Sequence, residues 1–279
     1  MTRYKDSFKT NKDQGKLFVR EWLPEKDPQA IILFVHGLGE HSGRMDHWAE
    51  RFTEKKIGFI AYDQRGHGKA DGKKGAPKHS KKLIEDCKMM VGILRKEFPD
   101  IPVILYGHSM GGNVVINYVI SETKTVDALI ATSPWLKLTH PPAKALGKIL
   151  GLMTKIAPGL TISNGLNPED ISRDKEEVEK YKQDPLVHGK ISIGLALSLL
   201  EGGANALRNI YKINCPFLLM HGTKDNICSH KASEEYVMNT SERTRLKLWE
   251  GAYHELHHEP IRDEVFDYII QWLKENKMA

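Results

Sequence analysis

Gly107-His108-Ser109-Met110-Gly111 follows the apolar run Val103-Ile104-Leu105-Tyr106 and precedes Gly112-Asn113-Val114-Val115-Ile116-Asn117-Tyr118. The pentapeptide reads G-x-S-x-G. An apolar strand, a tight turn and a helix start, in that order, form the context of a nucleophile elbow. Glycines flank the serine because a Cβ at either position would collide with neighbouring backbone. The Ser109 hydroxyl is expected at the carboxyl end of a parallel strand.

Outward from this turn, short apolar runs alternate with helical patterns. Strands are predicted at Leu17–Trp22, Ile31–Val35, Ile57–Tyr62, Val103–Tyr106, Ala128–Thr132, Phe217–Met220 and Leu246–Trp249. Runs such as Ile31-Ile32-Leu33-Phe34-Val35 are apolar throughout, as strands buried on both faces are. Helices are predicted at Met45–Lys55, Leu83–Phe98 and Val265–Leu273. The alternation predicts an α/β fold, a mostly parallel central sheet with helices on both faces. Residues 1–279 are read as one domain with a helical insertion over about 134–210. Within the insertion, Lys144–Ala157 and Ile191–Leu200 have helical spacing. Such an insertion is expected to cap the carboxyl ends of the strands, where open α/β sheets bind ligands. Leu146, Ile149, Leu150, Met153 and Ile156 recur on one face of the first helix. They are read as either ordinary helix core or the wall of a ligand channel or bilayer contact.

A serine nucleophile needs a base, and the base needs an orienting acid. In α/β-hydrolases these follow the serine in the order acid, then histidine. Phe217–Met220 runs into His221-Gly222-Thr223-Lys224-Asp225, which puts Asp225 at a strand end. Asp127 and Asp170 are weaker rivals because neither follows a late strand. Leu246–Trp249 runs into Glu250-Gly251-Ala252-Tyr253-His254, which makes His254 the expected base. His257 and His258 fall near the start of the closing helix and are read as solvated. His108 is expected to pack beside the nucleophile. The oxyanion hole is expected to use the backbone N–H of Met110 and of Leu38, which lies in the loop after the Ile31–Val35 strand.

Composition is that of an ordinary globular chain, 40% hydrophobic and 28% charged, with a net charge of +5. The densest basic stretch holds Lys69, Lys73, Lys74, Lys78, Lys81 and Lys82 without an aromatic stacking set, so no nucleic-acid partner is expected. It is read as a solvated loop, with weak attraction to anionic lipid as the alternative. Cys87, Cys215 and Cys228 show no C-x-x-C spacing, and no signal peptide or membrane-spanning run is visible. A cytoplasmic chain, free to touch a membrane peripherally, is expected.

Five ordered stretches carry a resemblance. His36-Gly37-Leu38-Gly39-Glu40-His41-Ser42-Gly43-Arg44 resembles the H-G-x-G-E-H-S-G-R motif of monoacylglycerol lipases. Asp63-Gln64-Arg65-Gly66-His67-Gly68, the elbow, Asp184-Pro185-Leu186, and Gly251-Ala252-Tyr253-His254-Glu255-Leu256-His257 match in the same order, over about residues 15 to 275. The wider group includes lysophospholipases and carboxylesterases. The resemblance implies a serine esterase that cleaves one fatty acyl chain from glycerol, with the chain in an apolar tunnel and the glycerol near a polar exit. It implies that Glu40, His41 and Arg44 buttress the oxyanion loop, and that Tyr181 lies toward the glycerol end. It also implies that Cys228 stands close to the triad acid, where thiol-reactive inhibitors reach it in eukaryotic members; the plainer reading is a small buried residue. No metal or organic cofactor is needed. The expected partner is a monoacylglycerol or similar single-chain acyl ester, with a peripheral membrane contact through the cap. A lysophospholipase, a general carboxylesterase and an inactive binding protein are the alternative readings.

Overall fold

In the computed structural model, residues 2–122, 125–142, 151–238 and 243–279 are described. Eight strands form one sheet in the order β1 (Thr2–Thr10), β2 (Lys16–Pro24), β4 (Ile57–Asp63), β3 (Ala30–Val35), β5 (Val103–His108), β6 (Ala128–Thr132), β9 (Phe217–Gly222) and β10 (Thr244–Trp249). β1 pairs antiparallel with β2, and β2 antiparallel with β4; from β4 to β10 every pairing is parallel. The fold class expected from the sequence is the one observed.

The strand alternation sends side chains to two cores. Ile31, Leu33, Val35 and Leu105 face α2 (Lys81–Glu97), α3 (Met110–Ser121), α6 (Ile193–Arg208) and α7 (His230–Met238). Ile32, Phe34 and Tyr106 face α1 (Asp46–Glu54) and α8 (Arg262–Glu275). Trp48 and Phe52, four residues apart on α1, both meet Phe266 of α8 edge-on or tilted. Successive turns of one helix face therefore clamp one partner.

Between β6 and β9 lie α4, described over residues 151–156, β7 (Thr161–Ser163), α5 (Lys175–Gln183), β8 (Lys190–Ser192) and α6. β7 and β8 form a separate antiparallel ribbon. The predicted Ile191–Leu200 helix begins two residues late, because Ile191 and Ser192 belong to β8. Ser192 then caps α6, its hydroxyl accepting the Leu195 N–H at 3.0 Å. No helix among the described residues is long and apolar enough to cross a membrane.

Candidate active site

Ser109 sits between β5 and α3 with φ +52°. For a residue with a Cβ this conformation costs about 1–3 kcal/mol and persists only when the surroundings fix it. They do so here. The Ser109 N–H donates to the Thr132 carbonyl at 3.0 Å, and its own carbonyl accepts from Trp135 and Asn113. A Cβ on Gly107 would lie 2.5 Å from the Gly111 carbonyl oxygen, and one on Gly111 1.9 Å from that of Val35. Both contacts are with backbone, so neither neighbour can swing aside.

Asp225, in the turn after β9, is buried and accepts four hydrogen bonds. The ring of His254 approaches one carboxylate oxygen through Nδ1 at 2.7 Å, and His221 approaches the same oxygen through Nε2 at 3.0 Å. The N–H groups of Ile227 and Cys228 take the other oxygen at 2.8 and 2.9 Å. Burial alone would raise the Asp225 pKa. The two histidines outweigh it and hold the carboxyl far below the usual range. With Asp225 ionised, His254 Nδ1 carries the proton and donates, and Nε2 is left as the ring's acceptor. Ser109 and His254 line one cavity of about 290 Å³, together with Gly37, Leu38, Glu40, Trp135, Tyr181 and Glu255.

The loop after β3 is held from several sides. Glu40 accepts the Gly37 N–H at 2.6 Å and the Arg44 guanidinium at 2.9 Å. Arg44 also grips both oxygens of Glu255, at 2.6 and 2.8 Å, and lies 4.7 Å over the Tyr181 ring. His36 accepts the Gln64 N–H through Nε2, so its Nδ1 donates to the Gly37 carbonyl. The Gly39 carbonyl accepts the His188 N–H at 2.8 Å. Leu38 therefore lies on a loop braced on both sides. Met110 is the first residue of α3, where N–H groups lack an intrahelical acceptor.

Residues 26–261 match the Hydrolase_4 family, described as "Serine aminopeptidase, S33". The chain belongs to this family. A monoacylglycerol lipase of Mycolicibacterium smegmatis is 35% identical over 257 residues, covering 90% of this chain and 90% of that protein. An uncharacterized abhydrolase domain-containing protein of Dictyostelium discoideum is 39% identical over 270 residues; the chain spans only 28% of its length. The crystal structure of Paleococcus ferrophilus monoacylglycerol lipase superposes with a TM-score of 0.86 at 30% identity, covering 93% of this chain and 99% of that one. The fold is that of the α/β-hydrolases.

Within this S33-family site, the structure brings Ser109, His254, Leu38 and Tyr181 to one cavity, with Asp225 behind His254. Met153 is half-buried and is not a lining residue, and Ile156 is exposed. Leu146, Ile149 and Leu150 lie outside the described residues. Cys228 is buried beside Asp225, and burial pushes its thiol well up. His108 bonds Thr132 through Nδ1 and stands 4.8 Å, ring to ring, from His254.

The reading of His257 and His258 as solvated is corrected: both are buried. α8 starts only at Arg262, and the preceding turn tucks beneath α1. There His258 bonds Glu255 through Nδ1 and the Arg44 carbonyl through Nε2, while His257 packs on Trp48 and His108.

The sequence reading also missed three residues that fix the site. His221 carries no role in the sequence pattern, although its position four residues before the acid is a signal. Glu255 stands there only as part of the histidine loop. Ser133 has no sequence signal. It is buried at φ +43°, its N–H donates to Met220, and its hydroxyl donates to the carbonyl of His254 at 2.7 Å. Ser133→Ala leaves that carbonyl unpaired, which costs roughly 1–3 kcal/mol for a buried group. A fall in kcat of about tenfold with little change in KM is expected in steady-state assays.

His254 also sets a pH dependence. Burial opposes its protonation, but the Asp225 charge and hydrogen bond outweigh burial, with Glu255 and Glu40 adding to them, and its pKa is raised above 6.5. A general base acts in its neutral form. The kcat/KM of the free enzyme is therefore expected to rise with pH and reach half its plateau above pH 6.5. A midpoint below that value in a pH–rate profile would contradict this electrostatic balance.

Proposed function

We propose that this chain hydrolyses monoacylglycerols to fatty acid and glycerol through an acyl-enzyme at Ser109. The observation that carries the reading is Asp225 bonded to His254 Nδ1 behind a cavity that Ser109 also lines. It is supported by the 35% identity to a monoacylglycerol lipase along 90% of both chains. His254 Nε2 takes the Ser109 proton as the oxygen attacks the ester carbonyl. The N–H groups of Leu38 and Met110 hold the oxyanion. His254 then passes the proton to the departing glycerol oxygen. A water, deprotonated by the same nitrogen, attacks the acyl carbonyl, and the proton returns to Ser109 as the fatty acid leaves. Asp225 stays ionised throughout and fixes the tautomer.

In this reading residues 1–279 act as one domain, and the segment over about 134–210 is a cap over the strand ends. Leu152, Ile156, Leu160 and Ile162 are exposed on it, and an apolar set of this kind suits peripheral contact with a lipid surface. Fatty acid release from 1-octanoylglycerol by the purified chain, and its loss in Ser109→Ala, tests the activity. Co-sedimentation with phosphatidylcholine vesicles tests the surface. Turnover unchanged by Ser109→Ala would refute the mechanism.

A further inference from the structure

Asn113 lies in the first turn of α3, four residues after Ser109, and is completely buried. Its Nδ2 donates to the Trp135 carbonyl at 2.7 Å and to the Leu199 carbonyl of α6 at 3.0 Å, while its Oδ1 accepts from Asn117 at 3.2 Å. Two carbonyls face Nδ2, which fixes the orientation of the amide. The Asn113 backbone N–H donates to the Ser109 carbonyl at 3.1 Å, and the Trp135 N–H donates to the same carbonyl at 3.0 Å. The three residues thus close a ring. Trp135 and Asn113 both hold Ser109, and the Asn113 side chain holds Trp135. Ser109 and Trp135 line the cavity; Asn113 does not. The amides continue away from the site. Asn117 Nδ2 also donates to the carbonyls of Asn113 and Gly202, and Asn205 of α6 donates to Asn117 Oδ1 at 2.8 Å. α6 comes this close because two of its residues lack a side chain. A Cβ on Gly202 would lie 2.6 Å from Asn113 Oδ1, and one on Gly203 would run into the Leu136 carbonyl. The first rung of this ladder serves the nucleophile turn, and the later rungs serve the seam between α3 and α6.

Resting on the ester-hydrolase reading, we propose that Asn113 is a positioning residue for the reaction: its side chain locks Trp135, a wall of the cavity, to the turn that carries Ser109. Ser109 holds φ +52° only through its surroundings, and the Trp135 N–H is one of the groups that hold it. That N–H stays aimed at Ser109 while the carbonyl of the same residue is held by Asn113. Without the amide, the turn and the wall can shift against each other. A misplacement of about 1 Å costs a reaction about 10²-fold, and a loosened turn costs a part of that. The loss falls on the attack by Ser109, so it appears in kcat more than in KM.

The test sets Asn113→Ala beside Asn117→Ala, with steady-state kinetics on 1-octanoylglycerol and a melting curve for each. Both changes remove a buried amide from the same seam, and both are expected to lower Tm. Only Asn113→Ala is expected to lower kcat, by about tenfold, with KM changing less than about threefold. Asn117→Ala should keep the wild-type kcat. Asn113→Asp is close to isosteric and keeps the question answerable should Asn113→Ala fail to fold. Burial raises the pKa of such a carboxyl. Protonated, it can donate to one of the two carbonyls; ionised, it opposes both. Its kcat relative to wild type is therefore expected to fall as pH rises from about 6 to about 9. Wild-type kcat in Asn113→Ala, an equal loss of kcat in Asn117→Ala, or a ratio of Asn113→Asp to wild type that is constant with pH would overturn the proposal while leaving the esterase reading intact. No hydrolysis by the wild type would overturn both.

Discussion

Asp225→Asn is expected to lower kcat by about 10⁴, the scale on which a triad loses activity when its histidine holds the wrong tautomer. The reason is visible in how the carboxylate is divided. One oxygen accepts the backbone N–H groups of Ile227 and Cys228, and the other faces His254 Nδ1 and His221 Nε2. An asparagine keeps the first pair of bonds by leaving its carbonyl oxygen there. Its NH₂ group then points at the two imidazoles. His254 can satisfy it only by accepting at Nδ1, which moves the proton to Nε2 and removes the acceptor that Ser109 needs. The substitution is nearly isosteric, so thermal stability is expected to change far less than rate. Steady-state kinetics beside a melting curve makes the comparison. A fall in kcat under tenfold in a well-folded variant would mean that Asp225 does not set the tautomer.

Arg44→Met is expected to be among the most destabilising single changes at the site. Arg44 joins Glu40 and Glu255, both buried. Removing one partner of a buried ion cluster costs about 3–5 kcal/mol because the remaining charge is stranded. Here two neighbouring carboxylates lose their shared cation, leaving only the Gly37 N–H on Glu40 and the His258 ring on Glu255, and a drop in Tm of roughly 10 °C is expected. The direction with pH follows from the same geometry. Burial, and then Glu255, already raise the Glu40 pKa in the presence of Arg44. Without it both carboxyls titrate higher, and a group with a raised folded pKa loses stability as pH rises through that value. The deficit should therefore be larger at pH 8 than at pH 5, where protonation relieves the repulsion. A deficit independent of pH would place the cost in lost packing over Tyr181 instead.

Much of this fold was legible because buried parallel strands write themselves as short, wholly apolar runs. Ile31–Val35 and Val103–Tyr106 are legible for that reason, and the candidates Asp225 and His254 follow from strand ends taken with the α/β-hydrolase order of acid, then histidine. β1 was not legible. Thr2–Thr10 is an edge strand whose contribution is Tyr4 and Phe8 resting on Trp22 and Phe18, with charged and neutral polar residues elsewhere. α5 was not legible either, because only Val178 and Tyr181 of its nine residues are buried. Its start at Asp174, whose side chain accepts the Glu176 N–H, is a local signal that the surrounding charge obscured. At the site, the candidate residues Ser109, Asp225 and His254 were readable from motif and order, and Glu40 and Arg44 from the resemblance, whereas Ser133, His221 and His258 were not. Ser133 acts through a backbone angle and a bond to a residue 121 positions away. His258 looked like a surface histidine until Glu255 and the Arg44 carbonyl supplied partners for both ring nitrogens.

The central claim is that Ser109 is the nucleophile of a working triad, and covalent labelling tests it most directly. After reaction of the folded chain with a fluorophosphonate, peptide mass mapping should find one adduct per chain, on the peptide bearing Ser109, with labelling strongly slowed in Asp225→Asn. An adduct on another serine, or no adduct in a chain that still cleaves octanoylglycerol, would contradict the account.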